Sequence, residues 1–490
     1  MSDEALHGPA NDTGDIGLFL GAGASYDLGM PLVWELTREI KAWLTGDKLR
    51  ELNAGWAPQG GGHPAHVIED VAHVLENPDL HYELILGYLE TQFLRRGPNA
   101  ADYHSLYSWL VSLVSHLLYT RHILNRQLIA KQLPRYEGIR ALAELHRPLR
   151  IFSLNHDVLV ETIAGQFGIP IHCGFSADTI KLPRRDPTGR KIGEIEAETL
   201  SAALLAEGFL PFPNPGDFGI HLLKIHGALD QFTFNDGKDL LRLVAAPGAS
   251  DTPIDLLQAA NEDLLFVQPG SPNGRVNTMN EIAYADEQGV MQFLRRTLLA
   301  GAYKFDPRQA QVLPRGLLKA FGEQINFVST LVCIGYGFGD QHINAIIRRW
   351  LEFSAKRQLQ IVNPGIAETP DGFRHLVRQV TLIGSDATDY FDVQGGIERS
   401  PVERLEKKYF AAARKAGRER VGDALRAVEA RSRDETGRQL AARIADLSRS
   451  GALEGIDDPG SIARRLTDEI SPTLEKQLEA LLNELESRGT

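Results

Sequence analysis

The chain has 490 residues, with 52 Lys and Arg against 64 Asp and Glu and a formal net charge of −12. That length can bury several cores, in roughly two or three structural units, and the acidic excess argues against an extended nucleic-acid surface, whose affinity comes from clustered Lys and Arg. Two cysteines, Cys173 and Cys333, cannot make a disulfide framework or a Cys-x-x-Cys metal centre, and with no secretory leader and no apolar run of about 18 residues the expected setting is a reducing cytoplasm, without a membrane span.

The first element is "GLFLGAGASYDLGMP". Gly17–Leu20 reads as a buried strand, and Gly21-Ala22-Gly23-Ala24-Ser25 has so little side chain that its backbone can approach a ligand closely. A helix is expected next, with its first N–H groups facing the loop, an arrangement that suits phosphate. A tight strand-to-helix turn holding no ligand is the alternative. The Gly-x-Gly-x-x-Gly dinucleotide fingerprint fails at Tyr26, and no Lys follows to make a Walker loop.

Residues from about 36 to 150 read as an inserted helical subdomain. Leu106, Trp109, Leu110, Leu113 and Leu117 form an apolar stripe at helical spacing. The second strand, "LRIFSLNHD", ends in Asn155 and Asp157. An amide and a carboxylate two residues apart can point together into a crevice, or cap the helix "DVLVETIAGQF". A second insertion, around 173–215, is rich in Pro and Gly.

The third strand, "HLLKIHGALD", ends in His226-Gly227, a placement that suits a general base. The fourth, "TLVCIGYGFGD", ends in a loop with little side-chain bulk, beginning Gly335-Tyr336, and the fifth, "LQIVNPG", closes at Asn363. Apolar strands alternating with helical patterns predict an α/β fold: a Rossmann-like parallel sheet with its site at the carboxyl ends of the strands. From 396 to 490 the composition becomes charged and rich in Ala and Leu, with helical stripes at Val421, Leu425 and Val428 and at Leu474, Leu478, Leu481 and Leu485. This helical C-terminal region either packs on its own domain or offers an oligomer or partner surface.

Taken in order, Gly-Ala-Gly-x-Ser with Gly-Met-Pro, Asn-x-Asp, His-Gly, Gly-Tyr-x-Phe-x-Asp and Asn-Pro-Gly resemble the sirtuin family, in its divergent prokaryotic sirtuin-like branch. The resemblance covers residues 15–395 apart from the insertions. It implies that Gly21, Ala22, Gly23 and Ser25 bind the pyrophosphate of NAD. It further implies that Asn155 holds the nicotinamide ribose or the water beside it, that Asp157 contacts the carboxamide, and that His226 is the base. Gly335, Tyr336 and Asn363 would line the adenosine half.

Three departures bear on the activity. Leu32, Val33 and Trp34 follow Pro31, where protein-deacylating members have Asp-Phe-Arg; the four-cysteine zinc module is missing; and Gly337 stands where a serine is common. The branch includes NAD-hydrolysing effectors of bacterial antiviral defence. The resemblance therefore implies an NAD glycohydrolase releasing nicotinamide and ADP-ribose, with NAD as substrate and no metal. The alternatives are a catalytically quiet NAD or ADP-ribose-binding assembly scaffold and an NAD-dependent protein deacylase. Control is expected through homo-oligomerisation or a separately encoded partner: a ring-forming ATPase, an Argonaute-like protein or a nucleotide-signal sensor.

Overall fold

A computed structural model describes residues 15–414, apart from 177, 209, 236–238, 247, 269–274, 277 and 299–311. The stripes expected between Val421 and Leu485 lie outside the described residues. The described chain contains strands Ile16–Leu20 (β1), Leu149–Ser153 (β2), Ile171–His172 (β3), Thr179–Arg185 (β4), Lys191–Ser201 (β5), Ile220–Lys224 (β6) and Gln231–Phe234 (β7). Asp239–Val244 (β8), Glu281–Ala285 (β9), Met291–Arg296 (β10), Thr330–Ile334 (β11), Gln358–Val362 (β12) and Val380–Ile383 (β13) complete the set.

Seven strands make a sheet in the order β13-β12-β11-β1-β2-β6-β3, with parallel pairing throughout. β1 sits at its centre, Leu18 facing Val332 on one side and Ile151 on the other. Leu18, Phe19, Ile151, Val332 and Cys333 are fully buried, as strands covered on both faces must be, and such strands read as unbroken apolar runs. The chain moves outward from β1 to β2 and on to the edge strand β3, returns to form β6 between β2 and β3, then crosses back to β11 and moves outward through β12 to β13. That is the doubly wound Rossmann-like order, with its reversal between β1 and β11.

Between β1 and β2 the chain is helical, from Val33–Trp43 to Gly138–Leu145. In its longest helix, Ala100–Leu124, the buried line is Leu106, Leu110, Val111, Val114 and Leu118, with Trp109, Leu113 and Leu117 half-buried on the flank.

A second sheet, in the order β4-β5-β8-β7-β10-β9, is antiparallel. Its core packs Leu182, Ile195, Phe232, Leu241 and Leu294 against Leu256 and Ala260 of helix Pro253–Glu262. That helix starts on a capping box between Thr252 and Asp255, with Pro253 at its first position. The insertion around 173–215 thus supplies two strands, β4 and β5, of a six-stranded sheet whose other four come from the 231–296 stretch.

The described chain divides into two compact units, residues 15–41 with 73–404, and residues 42–72 with 405–414. Both sheets belong to the first. In the second, the Thr45 side chain caps helix Gly46–Trp56, and Arg50 grips Glu69 with two hydrogen bonds of 2.8 Å. No described helix is long and apolar enough to cross a membrane.

Candidate functional site

The carboxyl ends of β1, β2, β6 and β11 converge on one edge of the parallel sheet. At the reversal between β1 and β11, two glycine loops touch through their backbones. Gly21 N donates to Ile334 O and Gly23 N to Gly335 O, both at 3.0 Å. A Cβ on Gly21 would stand 2.7 Å from Gly335 O, one on Gly23 2.7 Å from Gly335 Cα, and one on Gly335 would overlap Ala24 N. Gly335 also has φ +62°, a conformation that disfavours a side chain. The three glycines therefore serve contact between the loops, whatever else they serve.

The expected α-helix does not open at this loop. Ala22–Leu28 is a 3-10 turn that ends at Gly29, φ +94°, and the α-helix begins at Val33. The physical cause is in "DLGMP": Gly29 supplies a left-handed stop, and Pro31 has no N–H with which to continue a helix. The turn is pinned from the helical insertion by Tyr136, whose hydroxyl donates to Ala24 O at 2.8 Å.

Asn155 reaches this loop from β2. Its Nδ2 donates to Gly21 O at 2.9 Å and to Ser25 Oγ at 3.0 Å, and its own N–H donates to Ser153 Oγ. A carbonyl only accepts, so the Gly21 contact fixes which way the amide points. Both amide hydrogens are used on the loop, leaving Oδ1 as the group that can face a ligand. Asp157 Oδ1 accepts from Leu159 N at 3.1 Å, a local turn just before helix Leu159–Gln166, whose cap residue is Val158.

His226 follows β6, the strand beside β2, and is buried. Its Nε2 lies 3.3 Å from Asp340 Oδ2, and its ring lies 6.4 Å from that of His156. Below it, Lys224 is 2 % exposed. The Lys224 ammonium donates to Asp157 O and stands 3.3 Å from Glu161. Burial pushes the Glu161 carboxyl up to about 7, with the Lys224 charge pulling the other way. Burial also opposes the Lys224 ammonium, but Glu161, Asp157 and Asp230 outweigh it and hold its pKa above the usual lysine value.

The remaining expected residues lie on the far side of β1. The Tyr336 ring packs on Phe19, with centroids 5.0 Å apart, and its hydroxyl donates to Asn344 Oδ1 at 2.9 Å. Burial pushes this phenol well above its ordinary range. Asn363 ends β12, where its Oδ1 accepts from Gly365 N at 2.9 Å. The structure thus joins Gly21, Gly23, Ser25, Asn155 and Gly335 in one contact set, with the Tyr336 backbone against Gly21 and its ring on β1, and brings His226 to the same edge, while Asn363 serves its own loop. Cys173 and Cys333 are buried thiols whose pKa is raised by burial. Among the described residues no group of His, Cys, Asp or Glu is arranged to hold a metal ion.

Sequence reading missed Asp340 and Lys224 as members of this site. Each carried a signal: Asp340 stands immediately before an amphipathic helix, and Lys224 is a charge inside the otherwise apolar run "HLLKI".

These features define a doubly wound α/β protein with a polar cluster at its strand reversal. No protein-family model matches the chain, and no characterised protein matches its sequence.

Proposed function

We propose that this chain is an NAD glycohydrolase that cleaves NAD to nicotinamide and ADP-ribose. The observation that carries the reading is the position of Asn155 and His226 at the carboxyl ends of adjacent strands, with Asn155 bonded to the glycine loop at the strand reversal. In doubly wound folds that crevice is where dinucleotides bind. The chemistry asks little of the protein. The ribose–nicotinamide bond already has a cationic leaving group, which departs neutral, so the developing oxocarbenium ion needs only positioning and a nucleophile. His226 takes the proton of water or a ribose hydroxyl, a contribution of roughly 10²–10⁴-fold, and Asn155 Oδ1 orients it. Unchecked NAD cleavage would drain the cytoplasm of its own cell. A role as an antiphage defence effector, restrained by self-assembly or by an ATPase, Argonaute-like or sensor partner, fits that need. The deacylase alternative is weakened by Leu32-Val33-Trp34 and by the missing zinc cysteines.

One observation favours the quiet-scaffold reading. The glycines, both Asn155 amide hydrogens and Asp157 Oδ1 already have structural work. Incubation with NAD and assay of nicotinamide separates the readings. The glycohydrolase releases it without any acyl peptide, and His226→Ala stops the release. A scaffold releases none yet binds ADP-ribose by calorimetry. Release only in the presence of an acyl peptide would restore the deacylase.

A further inference from the structure

We propose that Lys224 and His122 are positioning residues that hold one peptide group, Asp157–Val158, from both ends: Lys224 takes its carbonyl and His122 its N–H. The grip sets the direction of Asp157 and of the chain that leaves Asn155. Its consequence for catalysis rests on the glycohydrolase reading; the grip itself does not.

The segment between β2 and helix Leu159–Gln166 belongs to neither, so its backbone groups need other partners. Leu154 N donates to Leu20 O at 3.0 Å, Asn155 N to Ser153 Oγ at 3.1 Å, and His156 O accepts from Leu229 N at 2.9 Å. The next peptide group is met by two side chains instead. The Lys224 ammonium donates to Asp157 O. Val158 N, at the helix cap and so without an intrahelical partner, donates to His122 Nε2 at 3.3 Å. Asp157, Val158, His122 and Lys224 are all buried, His122 completely, so a bond lost here has no bulk water to replace it.

His122 stands on helix Ala100–Leu124, and its other ring nitrogen lies 2.7 Å from Leu118 O. A carbonyl only accepts and a backbone N–H only donates, so the two partners fix the ring between them. Nδ1 carries the hydrogen and Nε2 accepts. Burial lowers the pKa of this imidazole despite the nearby Asp157 charge, which keeps the ring neutral, as an acceptor must be. Lys224 is the last residue of β6, two before His226. In a trans peptide the carbonyl and the N–H point opposite ways, so rotating this peptide plane breaks both bonds at once. The floor of the site is thereby tied to β6 on one side and to the helices between β1 and β2 on the other.

Nitrogen-15 spectra of the unmodified chain at pH 8, where an ordinary imidazole is neutral, should show His122 with Nδ1–H and a bare Nε2 coupled through the hydrogen bond to Val158 N. In His122→Leu the Val158 amide should exchange its hydrogen on the order of 10-fold faster, read against the Leu18 amide of β1. His122→Gln, whose side-chain oxygen takes the place of Nε2, should restore most of that protection. Lys224→Met is made in a Glu161→Gln background, so that no carboxylate stays buried alone, and is compared with that background. In His122→Leu and in Lys224→Met, kcat for nicotinamide release should fall by on the order of 10²-fold, the cost of a small misplacement. KM should change little, because the hydrogen bonds of the glycine loop go to other residues, and His122→Gln should recover part of the rate. The Nε2–H tautomer in the unmodified chain, unchanged Val158 exchange in His122→Leu, or a loss that falls on KM with kcat intact overturns the proposal. A chain that releases no nicotinamide in any form sinks the glycohydrolase reading, and the ring spectra and amide exchange still decide the grip.

Discussion

Asn155 holds Ser25: the amide of one donates to the hydroxyl of the other over 3.0 Å, while its second hydrogen goes to Gly21 O. The residue that sequence reading assigned to ribose or water is thereby also the clamp that joins the end of β2 to the glycine loop of β1.

Asn155→Ala should therefore lower stability as well as activity. It leaves the buried Ser25 hydroxyl without its Asn155 donor and takes one of two hydrogen bonds from Gly21 O, which keeps Ala24 N, a loss of roughly 1–3 kcal/mol. Asn155→Asp should do worse, because it sets an anionic acceptor against Gly21 O. Urea unfolding of the two variants beside the unmodified chain checks the order. Equal midpoints for all three would show that the clamp contributes nothing.

The glycines of the 335–340 loop should differ sharply in tolerance. At Gly335 the left-handed backbone alone costs roughly 1–2 kcal/mol for an alanine, and the added Cβ overlaps the backbone of Gly23 and Ala24. Gly337 and Gly339 have open space where a Cβ would go, so alanine there should stay within about 0.5 kcal/mol. Thermal unfolding of the three single variants is the measurement. A stable Gly335→Ala protein would mean that the two loops can separate without loss.

The parts of the fold legible in the sequence are those whose physics is local. β1, β2, β6 and β11 are buried along nearly all their length and announce themselves as apolar runs, and β12 shows through Leu359, Ile361 and Val362 although Gln358 and Gln360 are only half-buried. β3 has two residues, and β13 is half-exposed along most of its length, so neither makes a run to read. The antiparallel sheet went unread because its strands alternate weakly. Two turns were signals of it, Asp186–Gly189 between β4 and β5 and Asp286–Gly289 between β9 and β10, where Gly189 and Gly289 take φ +86° and +79°. Asn155 and His226 were visible as polar residues closing apolar strands. The Asp340–His226 contact was not, because it depends on a strand order that no local pattern encodes.

Stability should depend on pH through Glu161. Its carboxyl is raised from 4.5 to about 7 in the folded chain, so between those values the native state keeps a proton that the unfolded chain releases. Unfolding is then favoured progressively as pH rises from about 4.5 to about 7. Other groups blur the whole-protein curve. Burial raises Glu198 and acts in the same direction, while His122, His172 and His221 are lowered by burial and act in the opposite one. The difference between the unmodified chain and Glu161→Gln isolates the effect. Lys224, whose pKa is raised, stays charged across this range, so its loss of a partner adds a nearly constant offset. On top of that offset the Gln variant should gain relative stability with pH, by on the order of 3 kcal/mol between pH 4.5 and pH 7. Urea midpoints at pH 5, 6, 7 and 8 for both proteins give the curve. A difference that stays flat over this range would mean that Glu161 is ionised throughout, its burial fully offset by Lys224.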